Sequence, residues 1–559
     1  MKHVYLLRNY ITGLCLLGIF FITSCENTRR PESEQESTLA NERPNILLIM
    51  ADDMGYSDIG CYGGEINTPN LNQLAANGLR FSQFYNTSRC CPTRASLLTG
   101  LYPHQAGVGH MMDDRGTDGY RGDLNRQSVT IAEVLRASGY ATFMSGKWHV
   151  TRQVGQWSGD SSLTSKHNWP MQRGFEKFYG TITGAGSFYD PVTLTAENEP
   201  AEPDTKDYYY TDAISSKAVQ FINEHEKEDQ PFFGYVAYTA PHWPLHALPE
   251  DIARYEDRYS IGWDSLRQER LARMQEMGLI KADWTLTQRD ERVPGWEDAE
   301  DKAWQSRRME VYAAQIDRMD QGIGSIIEAL KEKGALDNTL IFFLADNGGC
   351  AEELSESWGN PLFLPERARD GKEVIFGNEH RDVMPGPEET YQSYGVPWAN
   401  ASNTPFRLYK HYVHEGGIST PLIVHWPSGI SNKGEWRAEP GHLIDIMATC
   451  VDVSQADYPE VYANENIQPM EGISLLPAFA GDSLQREAIY FEHEGNRAVR
   501  RGKWKLVAQG REGGWELYNI QEDRSETHDL ATEHPELVEE LSGMWQQWAE
   551  RAKVIPWPA

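Results

Sequence analysis

Two acidic groups stand where hard-cation chemistry can be done. Asp52-Asp53 follow directly on the apolar run Ile46-Leu47-Leu48-Ile49-Met50-Ala51, and Asp346-Asn347-Gly348 follow on a second such run over 340–345. Three carboxylates and an amide gathered at neighbouring strand ends would repel one another unless a cation lay among them. An all-oxygen set of this kind suits Ca2+ or Mg2+ rather than zinc. Taken singly, each acid reads better as the cap of the next element or as an Asx-turn; two strand ends sharing the pattern favour the ion.

The second group is Cys90-Cys91-Pro92-Thr93-Arg94-Ala95-Ser96-Leu97-Leu98-Thr99-Gly100. Pro92 can open a helix and Gly100 can close it, which predicts Cys90 just before the helix N-terminus. Free N–H groups and partial positive charge at that end suit an oxyanion. From the residues alone, Cys90 is a low-pKa thiolate nucleophile, one of a buried Cys pair, or the disulfide partner of Cys61, Cys350 or Cys450. The seven cysteines, with Cys15, Cys25 and Cys91 completing the set, form no paired framework for a chain of 559 residues. Neither Cys-x-x-Cys nor a Cys/His zinc spacing occurs.

These groups need strands to hold them. Runs apolar on both faces, at 46–51, 141–144, 232–238, 340–345 and 421–425, have the character of parallel strands covered by helices on each side. Helical patterns at 128–137, 211–225 and 309–331 separate them, and Thr68-Pro69 predicts a further helix with Thr68 as N-cap, ending at Asn77-Gly78. The alternation predicts a large doubly wound, mostly parallel α/β sheet, in which ligands sit outside the carboxyl ends of the strands. From about Arg486 the texture changes to short alternating runs at 488–492, 498–500, 504–507 and 515–519 and a helix over 534–551. These predict a small antiparallel sheet closed by a helix. Two stretches, about 248–308 and 350–405, read as irregular loops of the length that is usually functional.

The chain carries 52 Lys+Arg against 82 Asp+Glu, a net charge of −30 at 40% hydrophobic residues. That composition excludes bulk disorder, and the acidic surplus disfavours nucleic acid and anionic membrane as partners. Lys2 and Arg8 before the apolar run from Ile11 to Ile22 read as an export signal too short to span a bilayer. The run ends in Ile22-Thr23-Ser24-Cys25, which resembles a bacterial lipoprotein cleavage box in which Cys25 receives lipid; a plain secretory signal cut nearby is the alternative. The expected organisation is a signal peptide over 1–24, a polar tether over 25–43, a main domain over 44–485 and a C-terminal α+β subdomain over 486–559. The expected location is the periplasm, with membrane attachment only through the lipid.

Cys90-Cys91-Pro92-Thr93-Arg94 followed by Leu98-Thr99-Gly100 resembles the type I sulfatase signature, Cys-x-Pro-Ser/Thr-Arg. Its surroundings are similar to that family in order along the chain: Asn45 to Gly55, Leu101-Tyr102-Pro103-His104, Gly146-Lys147-Trp148-His149, Ala240-Pro241-His242, Ala345-Asp346-Asn347-Gly348, and Lys410 with Glu415-Gly416-Gly417. The resemblance implies an alkaline phosphatase-like fold and a sulfuric ester hydrolase, with Cys90 oxidised by a maturation enzyme to formylglycine. It also implies a divalent ion, Ca2+ with Mg2+ as the alternative, held by Asp52, Asp53, Asp346, Asn347 and the modified Cys90.

The same resemblance implies the roles of the other residues. One hydroxyl of the formylglycine hydrate attacks sulfur, and His149 takes the proton from the other so that sulfate is expelled. Arg94 bonds the hydrate and a metal carboxylate through its fork. Lys147 and Lys410 hold the sulfate oxygens, and His242, with Lys410, protonates the leaving alkoxide. Many relatives have glycines at 408, 409 and 411, where this chain has Leu408, Tyr409 and His411.

The leaving group is open. An exported protein rich in Trp and Tyr suits sulfated oligosaccharides or polysaccharides, algal or glycosaminoglycan, with Trp148, Trp243 and Trp398 as candidate stacking platforms against the commoner fate of core packing. A broad arylsulfatase or a phosphonate or phosphate ester hydrolase is the alternative within the family. A non-catalytic glycan-binding lipoprotein is the alternative of another class.

Overall fold

The computed structural model describes residues 43–227, 229–358 and 364–558. The signal, Cys25 and the tether lie outside the described residues, save Arg43. The frame is a mixed sheet of β1 (Asn45–Ala51), β2 (Leu79–Tyr85), β3 (Ala141–Gly146), β4 (Lys177–Thr181), β5 (Phe232–Ala237), β6 (Thr339–Ala345) and β7 (Ser419–His425). Their order across the sheet is β2-β7-β6-β1-β5-β3-β4, with short strands added at both edges. β1 lies parallel to β5 and β6, and β5 to β3, whereas β7 runs antiparallel to both β6 and β2. The sheet is thus doubly wound and mostly parallel, as the alternation predicts.

Both faces of β1 are buried because helices cover both. Leu47, Ile49 and Ala51 pack with α1 (Pro69–Ala76), α4 (Tyr210–Glu224) and α5 (Lys302–Glu332). Ile46, Leu48 and Met50 pack with α2 (Cys90–Thr99), α3 (Ile131–Ala137) and α6 (Ile444–Ser454) on the other side. Thr130 starts α3 with a reciprocal capping box to Glu133.

Several local expectations need correction. β2 and β4 went unseen, because β2 sits near the sheet edge and its Leu79-Arg80-Phe81-Ser82-Gln83-Phe84-Tyr85 carries polar residues between the apolar ones. The stretch 248–308 holds a 15-residue helix, Gly262–Glu276, whose weak polar and apolar segregation hides it from periodicity. Pro92 does not open α2: the helix begins at Cys90, with Arg89 as N-cap and Gly100 in a left-handed C-cap. Thr68 precedes α1 but makes no side-chain cap; its hydroxyl accepts from Gly60 N instead. The described cysteines, 61, 90, 91, 350 and 450, are all free and buried, so none of the contemplated disulfides forms among them.

The C-terminal sheet, β8 (Ile489–His493), β9 (Asn496–Arg501), β10 (Trp504–Ala508) and β11 (Glu516–Asn519), is antiparallel throughout. Its period-two alternation serves two cores. Val499, Leu506 and Leu517 face α7 (Pro535–Arg551), and Ala498, Val507 and Tyr518 face Tyr85 at the end of β2 and Val413 and Ile418 in the segment leading into β7. The small sheet therefore braces the chain segment that carries Lys410.

Candidate active site

The carboxyl ends of the parallel strands form one line. Ala51 is level with Ala345 across β1 and β6, and Met50, Ala237 and Gly146 are level across β1, β5 and β3. The ladder continues past the strands: Asp346 N donates to Ala51 O, Asp52 N to Ala240 O, Lys147 N to Ala237 O and His149 N to Ile182 O. Each side chain is therefore set by backbone it shares with its neighbour. Lys410 reaches the same edge because β7 runs in reverse, and Lys410 N and His411 N are pinned to Gly349 O and Ser88 O. A Cβ on Gly348 would run into Gly416 O, so this close crossing needs glycine.

All ten residues singled out converge here, nearly closed off from solvent, with Cys90 2% and His242 4% exposed. Lys147 Nζ lies 2.5 Å from Asp52 Oδ2. Arg94 Nη2 lies 2.8 Å from Asp346 Oδ2 and 3.6 Å from Asp52 Oδ2, and its Nη1 donates to Lys147 O. Lys410 Nζ and His242 Nε2 lie 2.9 and 3.3 Å from Asp53 Oδ2, and Asn347 Nδ2 donates to Asp53 Oδ1 at 2.7 Å. Three carboxylates thus face three permanent cations. Thr93 Oγ1 accepts from Thr87 N, fixing the entry to the helix that carries Cys90 and Arg94.

The charges are unevenly settled. Burial pushes the Asp346 carboxyl well above its ordinary range, helped by Asp52, and burial raises Asp52 despite Lys147 and Arg94. Burial opposes ionisation of Asp53 too, but the Lys410 ammonium beside it holds its pKa low. Asp52 Oδ1 and Asn347 Oδ1 are buried without a partner. The His242 Nδ1 lies 2.6 Å from Trp243 O and so carries the ring hydrogen, which leaves the Nε2 lone pair opposite a carboxylate. The raised carboxyls and the two partnerless oxygens suit a further positive charge among Asp52, Asp53, Asp346 and Asn347.

Around residue 90 the field is the opposite. The Cys90 thiol is held well below its ordinary pKa by the hydrogen bond from Cys91 and by Lys147 and His149, against burial. The sulfur stands where the oxygens of an oxidised residue 90 would be, and the spot stabilises negative charge. His149, whose Nε2 is 3.2 Å from Cys91 Sγ, is lowered to about 3 by burial, and His242 to about 4 by burial, so both rings are neutral at pH 7.

Residues 44–456 match the Sulfatase family model, and residues 406–552 match the N-sulphoglucosamine sulphohydrolase C-terminal model. The chain belongs to the sulfatase family. It is 35% identical to an arylsulfatase of Klebsiella aerogenes over 78% of this chain and 91% of that one. It is 32% identical to an uncharacterized sulfatase of Schizosaccharomyces pombe over 93% and 95%. Among solved structures it is similar to Ps i-CgsB in complex with k-i-k-neocarrahexaose, with a TM-score of 0.64 at 26% identity, covering 91% of this chain and 93% of that chain. A sulfatase of this family hydrolyses sulfate esters on an alkaline phosphatase-like fold, and such enzymes generally use formylglycine and a divalent metal. The orphaned oxygens and raised carboxyls of this sulfatase fit such an ion.

Sequence reasoning missed the residues at the mouth. Glu352 lies 2.8 Å from Arg89, 3.1 Å from His411 and 4.0 Å from Lys410, and accepts from Trp243 Nε1 at 2.7 Å. Its one advance signal was its place in the irregular stretch after the Asp346 strand. Of the three candidate platforms, Trp243 alone stands at the site, its ring 4.7 Å from His242. Trp148 and Trp398 are fully buried in the two main cores, their indole N–H groups bonded to Asn168 O and Gln305 O, and offer no face to a sugar. Leu408 and His411, two of the positions where many relatives have glycine, have φ of 64° and 80°, so this chain carries side chains on left-handed backbone there.

Proposed function

We propose that this sulfatase removes sulfate from sulfated oligosaccharides, with formylglycine made from Cys90 as nucleophile and Ca2+ held by Asp52, Asp53, Asp346 and Asn347. The observation that carries the reading is the meeting of these oxygens with Lys147, Arg94 and Lys410 around residue 90. The ion supplies Lewis-acid polarisation of the sulfuryl group. The rest falls to side chains: Lys147 and Lys410 take the sulfate oxygens, and Arg94 fixes residue 90 and the carboxylates together.

His149, neutral and against position 90, is equipped as the base that accepts a proton from the spent nucleophile. Proton donation to the leaving oxygen belongs first to Lys410, whose ammonium stays charged because Asp53 and Glu352 outweigh its burial. His242, neutral in the free protein, shares that task only once substrate charge raises its basicity.

The sugar reading rests on the carrageenan-fragment complex of the similar structure and on the polar mouth of Glu352, Arg89 and His411 beside Trp243. Export through the 1–24 signal, anchoring at Cys25 and maturation by a formylglycine-generating enzyme complete the proposal. Desulfation of defined carrageenan, fucoidan and glycosaminoglycan oligosaccharides, beside an aryl sulfate and a phosphonate ester, tests it. Turnover of the oligosaccharides is expected; turnover of the aryl ester alone would reject the sugar reading.

A further inference from the structure

Beside the pocket mouth, side chains that the reaction does not use gather at the tip of the C-terminal sheet. The turn between β8 and β9 brings His493 and Glu494 against His110, in the loop after α2. His110 Nε2 lies 2.9 Å from Glu494 Oε1, and His493 Nε2 lies 3.7 Å from the same oxygen. The two imidazoles stack at 5.5 Å with 18° between their planes. One donor atom from each of the three residues lies within 4.8 Å of the other two.

His493 is fully buried, and neither of its ring nitrogens has a hydrogen-bond partner. A neutral imidazole brings one donor and one acceptor, and leaving a buried one unmet costs about 1–3 kcal/mol. Burial keeps the ring neutral, the form that offers a lone pair. Two imidazole nitrogens and a carboxylate oxygen make a softer set than the oxygens at the sheet edge. Bonds of about 2.0–2.1 Å at a tetrahedral angle give donor edges of roughly 3.3 Å, between the two distances seen.

We propose that His110, His493 and Glu494 form a second metal site, for a zinc-like transition ion. Partners for an outer shell are in place, since His110 Nδ1 lies 3.5 Å from Asp113 Oδ1, and Glu494 Oε2 lies 2.8 Å from His411 Nδ1. The Glu494 side chain is 35% exposed, which gives an ion its path in and leaves the fourth position to water. Such an ion ties the C-terminal hairpin to the loop after α2 and, through Glu494 and His411, steadies the backbone next to Lys410.

The test is equilibrium dialysis of the full chain against Zn2+ in excess Ca2+, with bound metal counted by mass spectrometry and melting followed in parallel. Because Cys90, Cys91 and His149 also offer soft donors, the count is repeated on Cys90→Ser. One Zn2+ per chain is expected in both, with a rise in Tm, and affinity weaker by about tenfold or more in His110→Asn and Glu494→Gln. Glu494→Gln changes a part-exposed turn and keeps the test open if a His493 variant does not fold. No zinc in Cys90→Ser, or equal affinity in Glu494→Gln, would overturn the site.

Discussion

The buried floor of the site and its partly exposed mouth are built by different means. On the floor, Asp52, Lys147, Asp346 and Arg94 leave parallel strands or one helix, are entirely buried, and meet in contacts of 2.5–3.6 Å. At the mouth, Arg89, Glu352 and His411 come from loops, keep 13%, 12% and 28% of their side chains exposed, and lean on the C-terminal hairpin through Glu494. In the proposed reaction the floor serves what all sulfate esters share, and the mouth meets the part that differs. Perturbing the floor should therefore cost turnover with every substrate, whereas perturbing the mouth should redistribute substrates.

The largest effect is expected for Asp346→Asn. In the proposed ion site it removes the carboxylate charge and replaces one of the two oxygens that now serve Asp53 N and Arg94 Nη2, so kcat/KM should fall by about 10³-fold on every ester, with Ca2+ binding lost in calorimetry. Unchanged Ca2+ affinity would remove Asp346 from the ion.

The brace between the C-terminal sheet and the segment that carries Lys410 comes next. Glu415 is buried between Lys505 and Arg524 at 3.0 and 2.8 Å, and although burial raises its pKa these two bring it down to about 2. A carboxyl lowered on folding contributes stability that is complete above its unfolded pKa and lost as pH falls from about 4.5 towards 2. Glu415→Gln should cost about 3–5 kcal/mol at pH 7, seen as a fall in Tm, and should flatten the acid limb of the melting curve. A variant with wild-type melting at pH 7 would contradict the brace.

At the mouth, Glu352→Gln should raise KM about tenfold for the preferred oligosaccharide, with only a small fall in kcat, shared by a small aryl sulfate, because Asp53 still holds the charge on Lys410 at 2.9 Å. Equal losses on both esters would assign Glu352 to the floor. The smallest effect is expected for Leu408→Gly: release of left-handed strain worth about 1 kcal/mol is offset by lost apolar contact, for a net change within about 1 kcal/mol. A loss above about 2 kcal/mol would mean that packing of Leu408, not backbone shape, sets this loop.

The same contrast governs what could be read in the sequence. The floor was legible because strands apolar on both faces end abruptly in acids, and because a parallel sheet must bring those ends to one edge. β2 was hidden by its mixed residues, and the helix Gly262–Glu276 by charges on every side. Glu352, Arg89 and His411 carry no spacing signal; their meeting depends on how β7 reverses and on where the C-terminal hairpin lands. Trp148 and Trp398 show the converse, since a Trp beside a motif was still captured by the core.

The central claim is that residue 90 works as an aldehyde. Its most direct test is the mass of the peptide spanning 89–94, from enzyme made in the native host, set beside the specific activity of the same sample. The account predicts the formylglycine mass, in a fraction that tracks activity from one preparation to the next. A fully active preparation in which the peptide carries unmodified cysteine would contradict it.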